Sequence, residues 1–138
     1  MKLYTSHFGV TKSLLKAGIK PIGICLYPPQ WYLMSGQKNF DMLAPTREIF
    51  KLDEAMYTIR FNELLERLDP DNIFNAIGDI SNGRDAALLC FEKPGEFCHR
   101  RLVAKWLENG LGFEVNEWRS TAKDEDRRPP EAPQLSLF

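Results

Sequence analysis

The sequence has few cysteines, no long hydrophobic run and almost no net charge, and each shortage excludes a class of protein. The three cysteines, Cys25, Cys90 and Cys98, form an odd set without the spacing of a disulfide framework, which favours a reduced, cytoplasmic protein. The first residues lack the apolar core of a signal peptide, and no apolar run approaches membrane-spanning length. The formal net charge is -1, so no overall positive field would attract nucleic acid.

Two common families of catalytic motif are also missing. The chain has no glycine-rich loop of the P-loop or dinucleotide-binding type and no serine nucleophile elbow. We therefore predict no cofactor. The chain is 43% hydrophobic and 12% aromatic over 138 residues, which is enough for one domain with a buried core.

The hydrophobic pattern alternates between short strands and helices. Strand, helix and strand follow one another at the start of the chain, which indicates a right-handed parallel crossover. Thr11 is the expected N-cap of the first helix, and Gly110 with Gly112 should end the last one. We predict an α/β fold with a small, mostly parallel, Rossmann-like sheet flanked by helices in a single domain over 1–118. The predicted strands are 2–5, 19–26, 86–91 and 113–118; the predicted helices are 11–17, 48–68 with an interruption near Asp53, 69–77 and 98–107, with a loop at 78–84.

Residues 28–47 are predicted to form a long irregular connection. Connections of this length are usually functional or disordered. This one contains Trp31, Tyr32, Phe40 and Met42, so disorder is disfavoured. We expect an ordered lid over a site.

The candidate site lies at the ends of the predicted strands. In open parallel sheets, ligands bind outside the carboxyl ends of the strands. Three of the predicted strands are followed there by polar or aromatic residues. These are Thr5, Ser6 and His7 after the first, Trp31 and Tyr32 after the second, and Glu92, Lys93, Cys98, His99 and Arg100 after the third.

The last group has the chemistry of a catalytic site at a helix start. A helix N-terminus should lower the pKa of Cys98 and make it a nucleophile. His99 and Glu92 are candidate acids or bases. Arg100 is the arginine expected to point inward, and with Lys93 it would bind a phosphate or carboxylate.

Each of these roles has a structural alternative. Cys90, in an apolar strand, and Cys25 are better explained as buried structural thiols. His99 could serve only as a local hydrogen-bonding residue, and Glu92 could simply pair with a neighbouring cation. A metal site made of Cys90, Cys98 and His99, with or without His7, is a further alternative, but the spacing matches no compact zinc motif, so no metal ligand is predicted.

The motif resembles a known family. The run from Leu88 to Pro94, followed by Cys98-His99-Arg100 and 102–104, closely resembles the signature of the family named domain of unknown function 488. Residues 4–7, 22–32 and 43–45 resemble one small bacterial and phage subgroup of it. The resemblance covers about 2–118 and implies a compact α/β fold with the motif at one edge. It implies no reaction, and a link to nucleotide or nucleic-acid metabolism rests on association only.

The C-terminal end resembles a second, better understood element. Residues 119–133 are charged and proline-rich, which predicts a disordered linker. The last five residues resemble the pentapeptide by which bacterial replication and repair proteins bind the β sliding clamp. There a glutamine would bind at the pocket mouth while apolar side chains fill the pocket. The matching residues are Gln134, Leu135, Ser136, Leu137 and Phe138.

Three functional hypotheses follow. The first is a factor acting on DNA or nucleotides, tethered to the β sliding clamp through 134–138; Trp31 and Tyr32 would stack a base. The second is a non-enzymatic clamp adaptor or inhibitor. The third is a small-molecule enzyme with a Cys98 thiolate, unrelated to DNA. None of the three involves a membrane.

Overall fold

A five-stranded, all-parallel sheet forms the centre of the computed structural model, which describes residues 1–92 and 97–120. The order of the strands across the sheet is β3-β2-β4-β1-β5. The strands are β1 Leu3–His7, β2 Lys20–Gly23, β3 Lys38–Asn39, β4 Ala86–Cys90 and β5 Asn116–Glu117. The predicted single α/β domain with a parallel sheet is therefore confirmed.

The central strand β4 is buried on both faces of the sheet. All five of its residues are buried, as expected for a continuous apolar run in a parallel sheet. Successive side chains of a strand point to opposite faces. Leu88 accordingly packs in one hydrophobic cluster and Leu89 in the other.

Helices cover both faces of the sheet. The first two helices contribute Leu14 and Tyr32 to the cluster that contains Leu89, and the last four pack in the cluster that contains Leu88. The helices are α1 Thr11–Lys16, α2 Gln30–Met34, α3 Arg47–Phe50, α4 Glu54–Glu66, α5 Pro70–Ser81 and α6 His99–Leu111.

Aspartates cap two helices where the sequence predicted boundaries. Asp53 accepts a hydrogen bond from the Met56 N–H at 2.9 Å and separates α3 from α4, so the predicted interruption is confirmed. Asp69 caps α5, with Pro70 as its first residue. Both caps depend only on neighbouring residues, which is why sequence sufficed to locate them.

The connection over 28–47 differs from its prediction. It contains α2, the edge strand β3 and a 3₁₀ turn at Asp41–Leu43, so the expectation of an irregular connection is wrong. Tyr32 is fully buried, and its hydroxyl donates to the Lys38 carbonyl at 2.6 Å and accepts from the Gly23 N–H at 2.9 Å. These bonds hold the first part of the segment against β2 as part of the sheet. The lid stays a prediction, and Pro45 of this segment lines a cavity.

The ends of two helices also differ from their predicted positions. Thr11 lies inside α1 and its hydroxyl donates to the Phe8 carbonyl, because a 3₁₀ turn at Phe8–Val10 leads directly into the helix. Helix α5 continues past Ile77 to Ser81, because its apolar face remains buried to that point, and it ends at the left-handed Asn82.

The last helix is also longer than predicted. Helix α6 begins one residue after the expected Cys98 and runs to Leu111. Gly112, with φ of +79°, ends the helix as predicted. Gly110 instead lies within it, where a Cβ would collide with the Pro70 ring.

The strand ends differ modestly from prediction. β1 extends to His7, whereas β2 and β5 are shorter than their predicted ranges. Beyond β2 the Ile24 N–H still donates to the Leu89 carbonyl at 3.0 Å, so the chain remains attached to β4.

Some predictions fall outside the described residues. These include the anion-binding role of Lys93, the linker beyond Ser120 and the clamp-binding residues 134–138. Within 1–92 and 97–120, no helix is long and apolar enough to cross a membrane.

Candidate functional site

The connections of the sheet place a crevice at the carboxyl ends of β2 and β4. These two strands are neighbours. The chain leaves β2 through α2 on one face and leaves β4 through α6 on the other. Ligands of open α/β sheets bind at such a switch point, so this edge is the expected site.

Two thiols and one imidazole meet at this edge, and we call Cys90, Cys98 and His99 the CCH cluster. Cys90 ends β4, Cys98 precedes α6 and His99 is the first residue of that helix. The His99 Nδ1 atom lies 3.3 Å from Cys90 Sγ and 3.9 Å from Cys98 Sγ. All three residues are buried, with exposures of 1%, 5% and 5%.

A backbone carbonyl orients the imidazole. His99 Nε2 lies 2.5 Å from the Ile24 carbonyl oxygen. Because a carbonyl oxygen can only accept, we assign the ring hydrogen to Nε2. In the neutral ring, Nδ1 is then the acceptor that faces the two thiols.

The CCH cluster forms part of the wall of a cavity of about 250 Å³. This is slightly below the roughly 300–1,000 Å³ of typical ligand pockets, so it suits one small ring rather than a dinucleotide. The rings of Tyr57 and Phe97 meet edge to face, 5.2 Å apart. The wall outside the cluster includes Cys25, Phe50, Tyr57, Phe91, Glu92 and Phe97.

Burial determines the ionisation of the thiols. Desolvation raises the pKa of Cys98 well above its usual value, and the hydrogen bond with Cys90 raises it further. Desolvation likewise raises the pKa of Cys90 and Cys25. The expectation of a lowered pKa for Cys98 is wrong, because loss of solvent outweighs the stabilisation that a helix start provides.

Arg100 points inward as predicted, but its guanidinium is paired with a carboxylate of the same chain. Its Nε and Nη2 atoms donate to Glu117 at 3.1 and 3.0 Å. Burial lowers the pKa of Arg100, but the hydrogen bonds to Glu117 and the electrostatic attraction to Glu117, Cys98 and Cys90 together more than offset this, so its pKa lies above the usual value. Its buried Nη1 makes no hydrogen bond to a residue within 1–92 or 97–120. Anion binding by Arg100 stays a prediction.

Thr5 and Ser6 also bond within the domain. The Thr5 hydroxyl donates to Glu117 at 2.6 Å and accepts from Arg101 at 2.7 Å. The Ser6 hydroxyl donates to the Trp118 carbonyl at 2.8 Å. These bonds tie β1 to β5 and to α6, and ligand binding by either residue stays a prediction.

The remaining sequence-predicted residues lie apart from the cavity wall. His7 is buried beside Cys90 in the register of β1 and β4. Trp31 and Tyr32 pack with the cluster on the other face of the sheet. Of the predicted site residues that the structure describes, the cavity wall gathers Cys98, His99 and Glu92.

Sequence reasoning missed the aromatic wall and the partner of Arg100. On α4, Ile59 is 50% exposed, whereas Tyr57 and Phe61 are buried. The spacing of four residues from Tyr57 to Phe61 to Leu65 could have identified the buried face. The predicted strand 113–118 mixes apolar and polar residues and contains two glutamates, so the sequence did not single out Glu117.

The fold and the site together define an open parallel α/β domain with a thiol–imidazole cluster at its switch point. A family model described as the Active DUF488-N3 subclade, DUF488-N3a, matches residues 22–111. This is well over half of the chain, and the chain therefore belongs to this family. The match includes every residue of the cavity wall but excludes Thr5, Ser6, His7 and Glu117.

Comparisons with curated proteins and with solved structures give no match.

Proposed function

We propose that the domain acts on DNA or nucleotides by holding one base-sized planar group in the cavity beside the CCH cluster. The observation that carries the proposal is the convergence of two thiols and an imidazole on a small aromatic cavity at the switch point. Planar rings bind well against aromatic walls, and enzymes that modify bases hold them between aromatic or apolar side chains.

The chemistry would come from three residues of the wall. His99 Nδ1 is positioned to accept a proton from a neighbouring thiol, and Cys98 would then act as the nucleophile. Glu92 supplies a carboxylate at the same cavity. The word "Active" in the family description agrees with a catalytic role, although it names no reaction.

We further propose that the C-terminal residues 134–138 bind the bacterial β sliding clamp. The support is the sequence Gln-Leu-Ser-Leu-Phe at the end of a charged, proline-rich segment. Such a tether would raise the local concentration of the domain at replicating DNA without new contacts.

Two phenylalanines offer a matched test of the pocket. Phe97 and Phe113 are both 38% exposed and both pack edge to face against another aromatic ring, but only Phe97 lines the cavity. Titrating nucleosides, nucleotides and single-stranded DNA into each variant by calorimetry should show weaker binding for Phe97→Ala alone. A lost stacking contact is worth about 1–3 kcal/mol, or roughly 5- to 150-fold in affinity.

Two results would contradict the pocket proposal. One is that the wild-type protein binds none of these probes; the other is that Phe97→Ala binds them as tightly as Phe113→Ala. The tether is tested separately, by retention of purified β clamp on immobilised full-length protein and on a chain ending at Pro133. Retention by both chains, or by neither, would refute clamp binding through 134–138.

A further inference from the structure

The donor atoms of the CCH cluster have the chemistry of a transition-metal site. Two thiolates and one imidazole are borderline-soft ligands, which suit Zn²⁺ better than Mg²⁺ or Ca²⁺. The spacing of these residues in sequence matches no compact zinc motif, because one ligand ends a strand and the other two begin a helix. Only the packing of α6 over β4 brings them together.

The distances agree with tetrahedral coordination. With Zn–S of about 2.3 Å and Zn–N of about 2.0–2.1 Å, tetrahedral angles separate sulfur from nitrogen by roughly 3.5 Å and sulfur from sulfur by roughly 3.8 Å. His99 Nδ1 lies 3.3 Å from Cys90 Sγ and 3.9 Å from Cys98 Sγ. All three donor atoms lie within 4.8 Å of one another, so small side-chain rotations would complete the set.

The second ring nitrogen of His99 makes the hydrogen bond that is usual for metal-bound histidines. Its Nε2–H donates to the Ile24 carbonyl, which fixes the ring and leaves Nδ1 as the lone-pair nitrogen facing both sulfurs. Metal-binding histidines almost always donate their other N–H to a carbonyl or carboxylate in this way.

The cavity provides the fourth position. All three donors line it, and within 1–92 and 97–120 the group of potential ligands contains these three residues alone. Cys25 lines the same cavity but is not part of that group. Three protein ligands with one open position are the pattern of catalytic rather than structural zinc sites.

We propose that Cys90, Cys98 and His99 bind one Zn²⁺ ion, with the fourth coordination position open to the cavity for water or a ligand atom. This inference concerns the ion alone. It can succeed or fail independently of the base-sized ligand proposed above, but it replaces the free Cys98 nucleophile, because a zinc ion would occupy both Cys98 Sγ and His99 Nδ1.

The first measurement is metal content and geometry. Full-length protein, reduced and stripped of metal, is titrated with Co²⁺ while its absorption spectrum is recorded, and Zn²⁺ is then added. We expect one equivalent of Co²⁺ with the intense visible bands of a tetrahedral site and a thiolate-to-metal band in the near ultraviolet. One equivalent of Zn²⁺ should abolish these bands. A weak octahedral spectrum, or no stoichiometric binding, would overturn the proposal.

The second measurement assigns the ligands. Cys98→Ser and His99→Gln should each weaken Zn²⁺ binding at least tenfold in competition with a chromophoric chelator, and Cys98→Ser should lose one thiolate's share of the near-ultraviolet band. Cys25→Ser is the matched control, a buried thiol at the same cavity that should retain full binding. Equal loss in Cys25→Ser would refute an open three-ligand site. Circular dichroism confirms that each variant is folded, and the wild-type spectrum decides the proposal if a variant does not fold.

Discussion

Breaking the buried ion pair between Arg100 and Glu117 should destabilise the fold strongly, and this can be tested against an exposed pair of the same length. The side chains of Arg100 and Glu117 are 1% and 13% exposed, and their closest approach is 3.0 Å. Removing one partner of a buried pair leaves an unpaired charge and costs about 3–5 kcal/mol. Glu117→Gln retains one acceptor oxygen and some solvent contact, so we expect a loss of about 3 kcal/mol, near the lower end of that range.

The exposed pair provides the control. Arg60 and Glu63 also approach to 3.0 Å, but both side chains are 52% exposed. Solvent screens such a pair, so Glu63→Gln should cost at most about 0.5 kcal/mol. The closest distance and the substitution are the same, so the contrast reports burial together with the two additional hydrogen bonds that Glu117 accepts from Arg100 and Thr5.

Urea unfolding followed by circular dichroism measures both changes. A loss of about 3 kcal/mol corresponds to a fall in Tm on the order of 10 °C for a domain of this size. A double variant, Arg100→Met with Glu117→Gln, should be more stable than Glu117→Gln alone because it removes the unpaired buried charge. The reasoning is refuted if Glu117→Gln costs no more than Glu63→Gln, or if the double variant regains nothing.

Three further predictions concern packing and burial in the domain. Tyr32→Phe removes the hydroxyl that joins β2 to β3 and should lower the free energy of unfolding by about 1–2 kcal/mol; unchanged urea unfolding would contradict this. Gly110→Ala would force a methyl group into Pro70 and should cost about 1–3 kcal/mol, whereas Gly78→Ala, which meets only the Met1 side chain at 3.8 Å, should stabilise its helix by about 0.5–1 kcal/mol; similar changes in the two variants would refute the packing argument. Burial raises the pKa of all three cysteines above the usual 9.0, so in the reduced, metal-free protein the unfolded chain loses its thiol protons first. Stability should therefore fall as the pH rises above about 9, and a flat profile between about pH 8 and pH 10 would be inconsistent with buried thiols.

Local signals in the sequence were sufficient for much of the fold. The apolar run of β4, the interruption near Asp53 and the helix start at Asp69 were predicted correctly. Each depends on hydrophobic patterning or on backbone groups a few residues away. The edge strand β3 was missed, because two residues paired to β2 carry no recognisable period.

Part of the candidate site could also be predicted from local signals. The sequence identified Cys98, His99 and Glu92 because they follow a strand that could be recognised from its own residues. It did not identify Tyr57 or Phe97, which reach the cavity only when α4 and the start of α6 pack together.

The fold class, the family and the sheet edge at which Cys98, His99 and Arg100 lie could be predicted from the sequence alone. The partners of these residues depend on the tertiary structure. The imidazole of His99 bonds to a carbonyl 75 residues away, and Arg100 pairs with a glutamate 17 residues away. Burial also reversed the expected pKa direction of Cys98. Hydrogen-bond partners and desolvation depend on which distant segments exclude water from a group, and no local pattern encodes that.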